Sequence, residues 1–463
     1  MNPRLEFSPE RMREIGYRVV DRLVEHLATL PSQPVGAKGD PATLLSSLAE
    51  PAPEQGMEFE AVLEQLERDV LRNTMHVNHP RFFAYVPGPS NFVSAMADAL
   101  ISGYNVFAGT WISGSGPAAV ELAVIEWLRA ACGFPKGAGG LFVSGGTMAN
   151  LTALAVARHV ARGDNLEGAT VYFSDQAHSS LEKALRVIGL PSENVRKIHC
   201  DSDFRLPVRE LERAIEKDRA AGKRPFCVIA SAGTTNTGAI DALRELSRVC
   251  KDQHLWLHVD GAYGAAAVIC DRGRRLLDGL ELADSLSLDP HKWLFQPFEI
   301  GCILVRDVVQ LRDTFLILPE YLKDTHQYSA EFNFTDHGLQ LTRGFRALKL
   351  WMSIKVFGMA AFRAAIERGF ELAEFVEARL RKMPGWEIVT PAQMGIVCFR
   401  YGPADDAAHL RLVQAILKDR FALITSTVLQ SRTVLRTCTI NPRTTELDIE
   451  KTLERLDLLA RSE

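Results

Sequence analysis

Two periodicities run along the chain. Over residues 9 to 30 (PERMREIGYRVVDRLVEHLATL) and again in FEAVLEQLERDVL, which ends near residue 71, apolar positions recur at helical spacing. The stretch between them, PSQPVGAKGDPATLLSSLAEPAPEQG, is rich in Pro, Gly and Ser and predicts an irregular connection. From about residue 118 the rhythm changes. Helical AAVELAVIEWLRAACG leads into GLFVSGGTMANLTALAVARHV, then TVYFSDQAHSS, PFCVIASAGTTNTG, LWLHVDGAYGAA, ADSLSLDPHKW and GCILVRD. Short apolar runs alternating with helical stretches such as LRELSRVCKD predict an α/β domain with a mainly parallel sheet. Each run ends in small or polar residues, and ligands of such sheets collect in the crevice beyond the carboxyl ends of the strands. The helical run ALKLWMSIKVFGMAAFRAAIERGFELAEFVEARLRK, then WEIVT, GIVCFR, a helix near AHLRLVQAILKDR, and TVLRTCTI predict a smaller α+β domain. The expected division is an N-terminal helical segment over 1–85, a large α/β domain over 86–348 and a small domain over 349–463.

Composition narrows the function classes. A chain of 463 residues, 47% of them hydrophobic, has enough apolar side chains for more than one packed region. Charged residues make up 24% and the net charge is -4, so no basic surplus argues for nucleic acid or an anionic membrane as partner. The start, MNPRLEFSPERMREIGYRVV, carries charges where a secretion signal needs an apolar core, and no apolar run reaches the roughly 20 residues of a membrane helix. Eight singly scattered cysteines, without a C-x-x-C pair or zinc-like histidine spacing, predict no metal site and fit a reducing compartment. The expectation is a cytoplasmic protein.

Four elements could carry chemistry, and each has an ordinary alternative. A dinucleotide fingerprint is excluded, because GAGGLF from Gly137 puts Phe142 where the third glycine belongs. SGGTMAN, residues 144 to 150, is either turn and N-cap chemistry or an anion cradle at the start of the helix ANLTALAVARHV. Asp260 in HVDGAYGA ends a strand that is apolar on both sides, so its carboxylate needs a partner unless it is a turn aspartate before Gly261. His178 in SDQAHSS follows a strand end, as a structural or a stacking histidine. Lys292 in DPHKW stands between a histidine and a tryptophan, either with its stem lying on Trp293 at the surface or shielded so that its amine can act as a nucleophile. An anion cradle, a stacking ring, a buried carboxylate and a shielded lysine, in that chain order and each at a strand end, are what pyridoxal 5′-phosphate requires. The lysine forms a Schiff base with the aldehyde and the carboxylate pairs with the pyridinium nitrogen.

With HPRFFAYVPGPSN, NVFAGTW, SDQAHSS, HVDGAYGA, PHKW, YLKDTHQ and RGFRALKLW in place, the chain resembles, nearly end to end, the pyridoxal-phosphate group II amino-acid decarboxylases, and most closely the aromatic ones. The resemblance implies an aspartate-aminotransferase-like (type I) fold and an obligate homodimer with active sites at the subunit interface. It gives Lys292 as the Schiff-base lysine, Asp260 as the partner of the ring nitrogen, His178 as the ring stacked on the cofactor and Ala262 as the small residue on its other face. Gly146 and Thr147 match the phosphate-binding pair, and Thr235 and His291 also line the cofactor. Asp289 stands where animal aromatic decarboxylases have asparagine, and a second carboxylate beside a phosphate is repulsive unless it is protonated or turned away. The implied reaction is α-decarboxylation of an amino acid. Tyr85, Val86 and Pro87 match the stretch lining the side-chain pocket, and Phe107 an apolar residue reaching in from the other subunit, a lining that favours Phe, Tyr, Trp or a hydroxylated relative. Gly109 and Thr342 depart from the animal enzymes, which have phenylalanine and glycine there. Tyr321 matches the tyrosine that returns a proton to Cα. It points to an amine product rather than the aldehyde made by relatives with phenylalanine at that place, although Phe332 and Phe334 lie close by in sequence. The alternatives are an aldehyde synthase, a decarboxylase of another amino acid, or a non-catalytic protein on the same scaffold.

Overall fold

Seven short strands make the large sheet: β1 (Gly139–Val143), β2 (Ala169–Ser174), β3 (Val195–Ile198), β4 (Arg224–Ser231), β5 (Trp256–Asp260), β6 (Ser285–Leu288) and β7 (Gly301–Val305). In this computed structural model, which describes residues 5–317, 331–402 and 404–462, their order is β1-β7-β6-β5-β4-β2-β3. The pairs β2–β3, β2–β4, β4–β5 and β5–β6 are parallel, and β7 runs antiparallel to both of its neighbours. The mainly parallel sheet read from the sequence is therefore correct, with β7 as its reversed strand. Helices cover both faces and bury two apolar cores, one around Val228, Val259, Leu286 and Trp293, the other around Val171, Phe173, Ile229 and Ile303. Strands buried on both faces read as nearly continuous apolar runs, which is why six of the seven were legible; β3, the half-exposed VRKI, was not.

Antiparallel strands β8 (Trp386–Gln393), β9 (Ile396–Tyr401), β10 (Thr425–Leu429) and β11 (Arg432–Cys438) form a second sheet in the order β10-β11-β9-β8. The helix Ala347–Leu380 leads into it and is interrupted at Gly358, which takes φ 74° and ψ 155° inside the helical run. A side chain at that positive φ is strained, so the break falls where glycine is.

The N-terminal helices are α1 (Pro9–Thr29), α2 (Pro41–Leu48) and α3 (Phe59–Gln65). The connection expected to be irregular contains α2: Asp40 accepts from Thr43 N at 2.9 Å and Pro41 occupies the first helical position, so a short helix starts inside a Pro- and Gly-rich stretch. No residue of α1 is buried, although Met12, Tyr17 and Val24 lie on it. The chain after it is tied to the small sheet. Phe83 N donates to Leu423 O at 2.8 Å, Leu423 N to Arg81 O at 3.0 Å and Cys438 N to Phe83 O at 2.9 Å, while Val35, Phe82, Ala84 and Leu423 share a small core. Two further helices, α4 (Phe92–Tyr104) and α5 (Trp111–Ala131), lead into the large sheet, and α6 (Gly146–Arg162) follows β1. Among the described residues no helix is long and apolar enough to cross a membrane.

Candidate active site

Beyond the carboxyl ends of the parallel strands lies a cleft of about 410 Å³. Its lining brings together Gly146, Thr147, His178, Thr235, Asp260, Ala262, Asp289, His291 and Lys292, nine residues that the sequence places far apart. Each comes from a strand end or the turn that follows it.

The DPHK turn shows why the lysine is where it is. Asp289 follows β6 directly, its N–H donating to Ala262 O at 3.1 Å, and Lys292 N closes the turn on Asp289 O at 3.0 Å. Pro290 sits at the position whose φ its ring presets. Trp293 is fully buried, stacked on Tyr263 at 5.3 Å and packed against Phe370 at 5.1 Å. The tryptophan therefore anchors the turn in the core, and the close neighbour of the Lys292 amine is Asp289, whose Oδ2 lies 3.0 Å from Nζ. Asp289 is 1% exposed, its Oδ2 is also 3.5 Å from His291 Nε2, and its Oδ1 has no hydrogen-bond partner among the described residues. Burial holds the His291 imidazole below its usual range.

Opposite the turn, α6 begins at Gly146 with its free N–H groups at the cleft. Its start is crowded: a Cβ on Gly146 would fall 2.8 Å from Asp289 Oδ2 and 3.0 Å from Ala262 Cβ. Across the sheet a Cβ on Gly301 would fall 2.5 Å from Gly145 Cα. Glycine at these points lets the turn, β7 and the helix start share one small volume.

Asp260 ends β5, and its carboxylate is held on both oxygens. Oδ1 accepts from Ala262 N at 3.2 Å and Ser287 Oγ at 3.1 Å, and Oδ2 accepts from Asn150 Nδ2 at 3.1 Å. These donors meet the requirement for a partner that the sequence posed, and they make Asp260 an oriented acceptor rather than a turn residue alone. His178 is exposed toward the cleft, with Nδ1 2.8 Å from Ser180 Oγ.

The residues expected to line a substrate pocket are not gathered in this cleft. Tyr85 is exposed with φ 54°, Val86 packs partly against the core and Pro87 is buried. Phe107 is half-buried and folds over Gly109, where a Cβ would fall 2.5 Å from its Cζ, so glycine at 109 is what lets the ring lie there. Thr342 is exposed. Tyr321 lies outside the described residues. Asn150, Ser180, His258, Ser287 and Arg436 were not singled out from the sequence. Buried Arg436 of β11 donates to Tyr85 O at 2.7 Å and Thr235 O at 2.7 Å, joining the small sheet, the Tyr85 stretch and the cleft. Its signal was weak, an arginine at an inward position of the strand TVLRTC. Among the described residues no cluster of His, Cys, Asp and Glu could hold a metal ion.

A family model for the pyridoxal-dependent decarboxylase conserved domain matches residues 41–402. The chain is 47% identical over 468 aligned residues to the aromatic-L-amino-acid decarboxylase of Bacillus atrophaeus, covering 99% of this chain and 98% of that protein. It is 32% identical to the phenylacetaldehyde synthase of Arabidopsis thaliana, over 94% of this chain and 93% of that one. Among solved structures, Oryza sativa TDC with PLP and tryptamine superposes with a TM-score of 0.93 at 28% identity, over 99% of each chain. The chain belongs to the pyridoxal-dependent decarboxylases and has their type I fold. The family's cofactor is pyridoxal phosphate, and the cleft fits it: a helix N-terminus and Thr147 for an anion, an oriented carboxylate, an open histidine face and a lysine amine, around a start of α6 kept free of side chains.

Proposed function

We propose that this protein removes the α-carboxyl group of an aromatic L-amino acid, giving the amine and carbon dioxide. The observation that carries this reading is the convergence of Lys292, Asp260, His178 and the start of α6 on one cleft, in a chain so similar to the aromatic decarboxylase of B. atrophaeus. The bound cofactor supplies a ring that accepts the electron pair left when carbon dioxide departs. Lys292 would provide the amine that holds the cofactor. Asp260 keeps a proton on the ring nitrogen, and two-sided hydrogen bonding preorganises it for that task. His178 offers its face to the ring and Ala262 leaves room on the other side. Gly146 and Thr147 would hold the phosphate and Thr235 and His291 would line the cofactor, with Asp289 beside them.

Substrate recognition in this reading falls to Tyr85, Val86 and Pro87, and to Phe107 of a second subunit. A homodimer is supported by α1, whose apolar residues Met12, Tyr17, Leu23 and Val24 stay exposed in the single chain. Eight unpaired cysteines support a reducing compartment, the cytoplasm. Tyr321 returns a proton to Cα.

The test is to incubate the purified protein with each proteinogenic amino acid and assay carbon dioxide, amine and peroxide together. Aromatic substrates should give amine and carbon dioxide one-to-one, and Lys292→Ala should release none while keeping its fold, since no other amine replaces it. Tyr321→Phe should shift product toward aldehyde, ammonia and peroxide, because without the phenol's proton for Cα, oxygen can take the electron pair. Wild-type protein consuming oxygen in step with carbon dioxide would favour the aldehyde-synthase reading, the activity named for the A. thaliana relative.

A further inference from the structure

A line of polar side chains crosses the interior directly behind Asp260, in a place where the sheet is otherwise apolar. Trp256, His258 and Asp260 alternate along β5 and so share one face, and Ser285 and Ser287 stand in register with His258 and Asp260 on β6. Asn150 of α6 packs onto that face. His258, Ser285 and Ser287 are fully buried and Asn150 is 1% exposed. Buried polar groups of this kind persist only when they are paired, and each of these has a partner.

Donor and acceptor roles follow by elimination. Asp260 Oδ2 accepts, so the Asn150 group 3.1 Å away is its NH₂, which also reaches Ser180 Oγ at 3.0 Å. The amide oxygen then faces His258 Nε2 at 3.0 Å, which must carry a hydrogen. On the far side Trp256 Nε1 can only donate, and it gives its hydrogen to Ser285 Oγ at 2.8 Å. His258 Nδ1 lies 2.9 Å from Ser285 Oγ, a hydroxyl that can donate to the ring or accept from it. Burial, the largest influence on His258, lowers its pKa, so the ring is neutral with its proton on Nε2 and Nδ1 accepts from Ser285 Oγ, while the charge that acts on it is that of Asp260. Along the other arm Ser180 Oγ accepts from Asn150 and donates to His178 Nδ1 at 2.8 Å, where Ser180 N also donates at 3.2 Å, leaving the His178 proton on Nε2.

We infer that His258 and Asn150 are positioning residues of the reaction: His258 fixes which way the Asn150 amide faces, and that one amide orients the Asp260 carboxylate and, through Ser180, sets the tautomer of His178. Without the His258 N–H, the amide can turn over and present its oxygen to the carboxylate, which is repulsive. The inference rests on the reading of Asp260 and His178 as cofactor residues.

The test compares His258→Leu, His258→Gln, Asn150→Leu and Asp260→Asn as holoenzymes, with kcat, KM and the pH dependence of the bound cofactor's visible absorption band. His258→Leu and Asn150→Leu should lose about 10- to 100-fold in kcat, with KM little changed and the absorption titration displaced. His258→Gln, whose amide N–H can replace Nε2–H, should recover most of both. Wild-type kcat and absorption titration in the two leucine variants, with only thermal stability reduced, would overturn the inference if Asp260→Asn is inactive. If Asp260→Asn itself behaves as wild type, the reading of Asp260 fails instead. A measurement independent of the variants is ¹⁵N NMR of histidine-labelled wild-type protein without cofactor. It should show His258 neutral with the proton on Nε2 near neutral pH, and a protonated ring or the Nδ1–H tautomer would overturn the inference on its own.

Discussion

Asp289 puts a negative charge at the point where the cleft should welcome an anion. Its carboxylate is paired with the Lys292 amine at 3.0 Å and crowds the start of α6. A second anion arriving there meets like charge, and the lysine must leave its partner to react. Asp289→Asn is therefore expected to bind pyridoxal phosphate more tightly, by about tenfold, equivalent to about 1.4 kcal/mol, in equilibrium dialysis. Pyridoxal without the phosphate separates the two causes, since a gain shared by both compounds reports the freed amine and a gain confined to the ester reports relieved repulsion. The larger gain is expected with the ester. At this scale the sequence was informative about residues at strand ends, because a charged or polar group after an apolar run is conspicuous. It was silent on Asn150, His258 and Ser285, whose partners come together only when β5, β6 and α6 pack.

Loops and helices are joined by a second buried charge, outside the lining of the cleft. Arg343 and Glu121 are almost wholly buried, with Nη2 2.6 Å from Oε1. Arg343 also donates to Ala108 O at 3.1 Å and Phe142 O at 2.8 Å, and Glu121 Oε1 accepts from Phe142 N at 2.9 Å. The pair fastens the Phe107 stretch, α5 and β1 to the segment that carries Thr342. Glu121→Leu leaves an uncompensated guanidinium inside, and the expected loss is about 3–5 kcal/mol by urea denaturation. Leucine at both positions should recover much of it, and a wild-type midpoint in the single variant would show that the pair contributes little. Most strands were legible at this scale through their apolar runs. α2 was not, because its Asp-Pro cap is embedded in turn-forming composition, and β10 was not, because TSTVL is half-exposed and carries little pattern.

For the molecule as a whole, acid and assembly are the informative variables. His79 is buried, takes a backbone hydrogen bond from Arg81 N on Nδ1 at 3.0 Å, and so donates from Nε2 to Gln33 O at 3.0 Å. Burial is the main reason its pKa falls to about 4. Below about 6.5 the unfolded chain binds a proton that the folded one refuses, so stability should fall as pH drops from about 6.5 to about 4. His79→Asn, whose side-chain oxygen can keep the Arg81 N–H, should be less stable at neutral pH and lose less on acidification; an unchanged slope would assign the loss to other groups. Assembly gives the second expectation. If Phe107 completes the neighbour's pocket and α1 is covered by a second copy, dilution that separates subunits should abolish turnover, and sedimentation showing a fully active monomer would refute this.

The joining of the arm to the small sheet sets an order of events during synthesis. Arg81 donates to Phe421 O at 2.8 Å across 340 positions of sequence, and Val35, Phe82 and Ala84 share a core with Leu423. A ribosome that has delivered Val305 has already supplied all seven strands of the large sheet. The arm around Val35 and Phe82, made before that sheet, still lacks its seat, and it stays unsettled until Leu423 emerges. Throughout that interval the apolar side chains of Val35, Phe82 and Ala84 are uncovered, so a stretch made before the large sheet is secured after it and stays open to capture by a chaperone.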